Sequence, residues 1–508
     1  MAYLMGVDIG TSGVKTVLFD TEGAQIASAS AEYPLYQPQN GWAEQDPDDW
    51  WEGAAHTIRE AIEKAGIDPK AICGVGLSGQ MHGLVMLDKS GAPLRRSIIW
   101  CDGRTGEECR EITRLVGKER LIEITANPAL TGFTAGKILW VRKHEPDIYA
   151  ACRHILLPKD YIRYKLTGAF ATEVSDASGM NLLDVPHRRW SQEVLEKLDI
   201  DGVLLGKMYE SCEVTGEITK EAAMATGLAA GTPVVGGAGD NAAAAVGTGV
   251  VSAGKAFTTL GTSGVIFAHS DQVSIDPKGR VHTFCHAVPG AWTLMSCTLS
   301  AGLSLKWFKD GFFAAEAQAA AGLGIDVYDI LNRQAARAPI GSNRLLFLPY
   351  LMGERSPLLD ADARGAFIGL SAMHTKYDML RAVMEGVTFS QRQCLDVLRE
   401  LGVAPKHMLA CGGGARSPFW RQMLADVYGC EVATIASSPE SPALGAALLA
   451  GTGAGIYKSV PEACAQVIRE NAPLPPNGAD GPAYAPYYAL YCKLYPALQE
   501  SFGALASL

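Results

Sequence analysis

"MGVDIGTSGVKTVLFD", residues 5–20, sets one carboxylate, Asp8, in an otherwise apolar strand, then a Gly-Thr-Ser-Gly turn and a second apolar strand. A charge withdrawn from water needs a counter-charge or a set of donors. Asp8 therefore reads either as a paired structural acid or as a group placed for chemistry. The stretch recurs: "IGTSGV" at 9–14 returns as "LGTSGV" at 260–265, about half a chain length further on. Apolar β-formers flank both copies, which gives strand–turn–strand and not the strand–loop–helix of a P-loop. The pattern GxxxxGK[ST] occurs nowhere. Gly10 and Gly13, like Gly261 and Gly264, allow positive φ and leave backbone N–H groups free to converge beside Thr and Ser hydroxyls, a nest suited to an anion. One such turn is an ordinary hairpin. Two at half-chain spacing predict two related domains, each offering a phosphate-binding hairpin to a shared cleft.

The repeat breaks at one informative position, where Asp8 of the first copy faces Thr259 of the second. A purely structural acid is expected in both halves or in neither. Asp8 thus points to a role beside phosphates, with Mg²⁺ between, held through retained waters.

A chain of 508 residues exceeds what one core usually organises. Its composition, 48% hydrophobic and 19% charged, suits a soluble globular enzyme. The net charge of −10 argues against general affinity for nucleic acid or anionic membranes. Twelve scattered cysteines with no CxxC pair read as free thiols in a reducing cytoplasm. The first strand begins with no basic n-region or apolar h-region before it, and Pro233, Asp240 and many glycines interrupt the small-residue stretch around 221–265. A cytoplasmic location is the expectation.

Other stretches carry chemistry. In "GGAGDNAAAAVG" (236–247) Asp240 precedes an alanine run that should be helical, and the small residues before it let a ligand approach. Asp240 is expected both to cap that helix and to point into the cleft. "VGLSGQMHG" (75–83) is a strand ending in a polar loop with Met81 and His82 at its tip. With Gly74 it matches GxGxxG, but "HGLVMLD" reads as a second strand where the dinucleotide fingerprint needs a helix. "SIIWCDGRT" (97–105) ends a strand with Trp100, Asp102 and Arg104, an aromatic face beside a carboxylate and a guanidinium that suits a polyol. "LSAGLSLKWF" (299–308) reads as a turn opening a helix, and "LACGGGARSPFWRQMLADVYG" (409–429) as strand, triple-Gly turn and helix able to receive a flat adenine or ribose. Residues 452–508 read as helical. Their Tyr-rich "APYYALYCKLYPALQESF" reads as packing or an interface, with a homodimer as the assembly considered.

With these residues in view, the chain resembles the FGGY carbohydrate kinases from residue 4 to about 455. "GFTAGKILWV" (132–141) and "GAFIGLSAMHTKYDMLRAVME" (365–385) are similar to the two family signatures, and "SGQMHG", "WCDGRT", "LLPKDYIRYKLTG" and "FLPYLMGERSP" follow the family's D-xylulose branch. Gly136 stands where related sequences often carry Pro. The resemblance implies an α/β fold of two actin-like or hexokinase-like (ribonuclease H-like) domains, 1–248 on the sugar side and 249–508 on the ATP side, with a cleft between them. It implies phosphorylation of D-xylulose at its terminal hydroxyl, with ATP and Mg²⁺ as cofactors. It makes Asp240 the proton acceptor, with Asp8 and Asp240 beside the metal, and it places Met81, His82 and Asn241 at the sugar with Trp100 and Asp102. ATP then falls to Thr11, Ser12, Gly261, Thr262, Gly302, Gly413 and Ser417. Ribulose, gluconate or another ketose would keep fold and roles but change the sugar pocket. A non-kinase actin-like ATPase would keep the fold alone.

Overall fold

A computed structural model describes residues 2–436 and 440–508. The elements of the first half that position the site are, in chain order, β1 (Tyr3–Ile9), β2 (Gly13–Asp20), β3 (Gln25–Glu32), α1 (Pro47–Ala65), β4 (Ile72–Gly79), α2 (Thr134–His144) and α3 (Pro158–Thr167). They continue with β5 (Val214–Glu217), β6 (Pro233–Val235), β7 (Ala238–Gly239) and α4 (Asp240–Gly247). The second half adds β8 (Lys255–Leu260), β9 (Gly264–Ser270), α5 (Gly302–Phe312), α6 (Lys376–Glu400), β10 (His407–Cys411), α7 (Pro418–Tyr428), β11 (Glu431–Ala433), α8 (Ser441–Gly453) and α9 (Asp480–Ala506).

The chain divides into two compact units, each threaded by more than one segment. The first comprises Met1–Ser252, His269–Thr293 and Ser437–Arg469, and the second Ala253–Ala268, Leu294–Ala436 and Glu470–Leu508. In the first unit β1 pairs antiparallel with β2 and parallel with β4. The mixed sheet runs β5–β6–β4–β1–β2–β3, with β7 also pairing with β4. Two helices cover it in different ways. Helix α1 is capped by Asp46, whose side chain accepts from Asp48 N, and it lays Trp50, Ala54 and Ile58 into the apolar core of the sheet. Helix α8 lies so close that a Cβ on Gly6 would stand 1.9 Å from Ala443 O, and one on Gly76 1.9 Å from Ala446 O. Only glycine on the strands admits that helix.

In the second unit β8 pairs antiparallel with β9 and parallel with β10, and β11 pairs parallel with β10. Helix α6 opens on a capping box between Thr375 and Asp378. The Tyr-rich stripe falls on α9, which buries Tyr484, Tyr491, Tyr495 and Phe502, so it packs within its own unit. The C-terminal stretch is less continuous than its sequence suggests: helices cover Val460–Val467 and Asp480–Ala506, and the segment between them is not helical. Among the described residues no helix is long and apolar enough to cross a membrane.

Candidate active site

Both GTSG turns form as strand–turn–strand hairpins, β1–β2 and β8–β9. Their glycines serve a different purpose from the one the pattern suggests. Gly10, Gly13, Gly261 and Gly264 are not among the residues with positive φ. Close approach requires glycine at Gly13, where a Cβ would meet Ala31 O at 2.5 Å, and at Gly264, where it would meet Gln391 Nε2 at 2.3 Å.

In the first hairpin the turn carbonyls are held from behind by side chains. Thr11 O accepts from Gln45 Nε2 at 2.7 Å, and Gly10 O accepts from Gln80 Nε2 at 3.3 Å and from the Tyr33 hydroxyl. The Gly10 N–H closes the turn on Gly13 O at 3.0 Å, which leaves Thr11 and Ser12, with their amides and hydroxyls, as the groups the turn can offer an anion. Trp100 Nε1 donates to Thr11 Oγ1 at 2.9 Å, which sets the half-exposed indole beside this hairpin.

Asp8 pairs in register with Ser78, and Ser78 with Ala238, so β1, β4 and β7 run parallel and end together. Asp8 at the end of β1 and Asp240 just after β7 thus lie at the carboxyl ends of strands that flank β4, where open α/β sheets place ligands. Ser78 Oγ donates to Asp8 Oδ1 at 2.8 Å. Burial and the nearby Glu440 push the Asp8 carboxyl up, against the pull of Ser78 and Lys15. Burial, reinforced by the charge of Asp8, pushes Asp240 up to about 7. Lys15 pairs with Glu440 at 2.5 Å. Asp240 does not cap its helix: Gly239 is the N-cap residue and Asp240 the first helical one. Its Oδ1 accepts from the Asn241 backbone N–H and side-chain amide at 2.7 and 2.9 Å.

Met81 packs over the residue before Asp240, since a Cβ on Gly239 would meet Met81 Cγ at 2.8 Å. His82 adopts φ 69°, donates from Nδ1 to Gly179 O at 2.9 Å and stacks on Phe133 at 4.5 Å. Beneath this loop the fully buried Lys137 donates to His82 O and Gly132 O, both at 2.7 Å, and burial brings its ammonium down to about 7.

Asp102 requires a correction. It is buried, and its carboxylate accepts from Ala43 N and from the N–H, Nε and Nη2 of Arg104 at 2.6–2.9 Å. Four donors fill the lone-pair sites of a carboxylate. Asp102 therefore locks the loop that carries Trp100 and has no acceptor position left for a sugar.

The second hairpin borders a cavity of about 900 Å³ in its own unit, lined by Gly261, Thr262, Gly302, Gly413 and Ser417 together. Its turn carbonyls are held by backbone: Gly261 O accepts from Gly302 N at 2.6 Å, and Thr262 O from Ala301 N at 3.0 Å. A Cβ on Gly302 would stand 2.5 Å from Gly261 O, whereas one on Gly413 would meet nothing within 4 Å. Ser417 caps α7, its hydroxyl accepting from Trp420 N. Lys306 and Arg416 also line the cavity, beside Asp326 and Asp329.

The sequence reading passed over Ser78, Lys15, Gln45 and Glu440. Ser78 and Lys15 lie inside motifs already quoted, and pairing across β1 marks both. Nothing local marks Gln45 or Glu440.

The FGGY family of carbohydrate kinases matches through its N-terminal domain at residues 3–247 and through its C-terminal domain at 256–454. The chain is 38% identical over 507 residues to a xylulose kinase of Bacillus subtilis (100% of this chain, 99% of the relative). It is 40% identical over 495 residues to a xylulose kinase of Escherichia coli (97% and 99%). The crystal structure of a xylulose kinase from Rhodospirillum rubrum superposes with a TM-score of 0.92 at 31% identity, covering 99% of this chain and 100% of that one. The charged hairpin, the glycine-lined cavity and both domain matches agree: the chain belongs to the FGGY family of carbohydrate kinases.

Proposed function

We propose that the protein transfers the terminal phosphoryl group of ATP to the terminal hydroxyl of D-xylulose, with Asp240 as proton acceptor. The observation that carries this reading is Asp240 at a strand end, its carboxyl raised to about 7 by burial and by Asp8, which poises it to take a proton near neutral pH. The choice of sugar rests on the relatives named xylulose kinases at 38% and 40% identity.

Asp8 and Asp240 together fit a divalent cation. They are two buried hard oxygen donors, the charge of Asp8 adds to the cost of ionising Asp240, and each carries few protein donors of its own. Among the described residues no third metal-ligating side chain joins them. When bound, Mg²⁺ neutralises charge on the transferring phosphoryl group. The first hairpin offers amides and hydroxyls to phosphate oxygens, and the second unit's cavity receives the nucleotide through Gly261, Thr262, Gly302, Gly413 and Ser417. Met81, His82, Trp100 and Asn241 shape the sugar side. Free cysteines throughout accord with a reducing compartment, and we place the protein in the cytoplasm.

A coupled ADP-release assay over D-xylulose, D-ribulose and D-gluconate tests this. The highest kcat/KM is expected for D-xylulose. A tenfold preference for another sugar overturns the choice of substrate, and equal ATP turnover without sugar overturns the kinase reading.

A further inference from the structure

Five ionisable side chains lie fully buried in the first unit, away from the reacting groups: Lys159, Asp160 and Arg163 of α3, with Glu173 and Asp176. Lys159 Nζ touches Asp160 at 2.8 Å and Glu173 and Asp176 at 3.2 Å each, and Arg163 Nη2 touches Asp160 at 2.9 Å. Such clusters rarely add stability over a hydrophobic core. What this one grips gives its purpose.

Its two arms reach the four-residue lead-in to Asp240, Gly236–Gly239. Arg163 Nη1 donates to Gly236 O at 2.9 Å. At the other end Gly239 N donates to Ser175 Oγ at 3.2 Å, and Ser175 Oγ donates to Glu173 Oε1 at 2.9 Å. Glu173 in turn takes the Ser175 and Asp176 backbone N–H groups and the Ser211 hydroxyl. The lead-in has no slack between these anchors, for Gly237 sits at φ 73° and a Cβ there would meet Leu77 O at 2.1 Å. Lys159 also lies under the strand ends, its Cβ 3.0 Å from where a Cβ on Gly79 would stand, and Gly79 pairs with Gly239.

We infer that Ser175, anchored by the Lys159–Glu173 pair, is a positioning residue that fixes where Asp240 stands, through Gly239. This rests on the reading of Asp240 as proton acceptor. The buried charges supply rigidity at the one point where a displaced carboxylate loses the reaction geometry.

The test compares Ser175→Ala with Ser211→Ala. Both remove one hydroxyl donor from Glu173, but only Ser175 also holds Gly239. Both should lower the melting temperature. Only Ser175→Ala should lower kcat, by roughly 10–100-fold, the range for losing an outer support of a reacting group, with both KM values within twofold of wild type. Ser175→Thr keeps Oγ and should retain at least half of wild-type kcat, which decides the matter if the alanine variant does not fold. Normal kcat in Ser175→Ala, an equal kcat loss in Ser211→Ala, or a threonine variant as impaired as the alanine overturns the inference. Asp240→Asn separates the two readings. If that variant turns over normally, the base assignment fails; if it is inactive while Ser175→Ala is normal, only the positioning role fails.

Discussion

The two GTSG hairpins share a sequence and a backbone plan, yet their surroundings divide the chemistry between them. In the first, the turn carbonyls are held by side chains from distant segments, Gln45, Gln80 and Tyr33. In the second they are held by the backbone of Ala301–Leu303 where α5 begins. The second residue before each turn differs in the same spirit. Asp8 faces Lys15 across its hairpin and takes a hydrogen bond from Ser78, whereas Thr259 faces Val265 and spends its hydroxyl on Val265 N at 3.0 Å. One hairpin sits in a charged setting beside Asp8 and Asp240, and the other borders a glycine-lined cavity in its own unit. The same turn sequence gives the same hairpin in both places, and on the proposed reading its neighbours decide what each hairpin does with phosphate.

The sharpest way to break this division is Asp240→Asn, which removes the acid found only beside the first hairpin. Steady-state kinetics should show kcat falling by roughly 10²–10⁴-fold, the usual worth of a positioned base. In the wild type, kcat/KM for the sugar should rise with pH along an acid limb near 7, because the group must lose its proton to act. The stability effect has a definite sign. A carboxyl raised from 3.8 to about 7 costs the fold nothing while protonated, and its cost grows as pH climbs between those values. Asp240→Asn should therefore melt higher than wild type at pH 8 and show no gain at pH 4.

Asp8→Thr makes the first hairpin copy the second. Turnover should fall by about 10–100-fold, and the rate should need a higher Mg²⁺ concentration to saturate, while the melting temperature holds or rises because a costly charge has gone. Unchanged Mg²⁺ dependence together with a large drop in melting temperature would return Asp8 to a structural role.

The second hairpin is probed by Gly302→Ala, whose Cβ would press on Gly261 O. ATP KM should rise about tenfold, as expected when a close backbone approach is lost, with sugar KM close to wild type. A sugar-specific defect would exchange the roles assigned to the two hairpins.

The smallest effect is expected from His82→Asn, since asparagine tolerates the left-handed backbone that His82 adopts. Loss of one hydrogen bond to a neutral hydroxyl should raise sugar KM by about 0.5–1.5 kcal/mol equivalent, with ATP KM unchanged. An ATP defect would place the 80–83 loop on the nucleotide side.

The α/β class, the paired hairpins and the membership in a kinase family were legible in the sequence because each depends on short-range pattern. Apolar strands around a Gly-Thr-Ser-Gly turn fold locally, and the Asp8/Thr259 contrast marks which copy is charged. The place of Asp240 in the chain was legible too, since glycines before it and an alanine run after it mark a carboxylate at a helix start; the role proposed for it came from the family resemblance. Tertiary structure alone decided how these residues work. Asp8 and Asp240 are far apart in the chain and become neighbours only because β1 and β7 both pair with β4. Asp102 looked available until Arg104 and Ala43 filled its oxygens. Helix α8 belongs to the first unit although it comes late in the sequence, because Gly6 and Gly76 leave room for its backbone. Local pattern states which groups a chain can offer, while burial, pairing and saturation of their hydrogen bonds are set by whatever residues the fold packs around them, near or far in the chain.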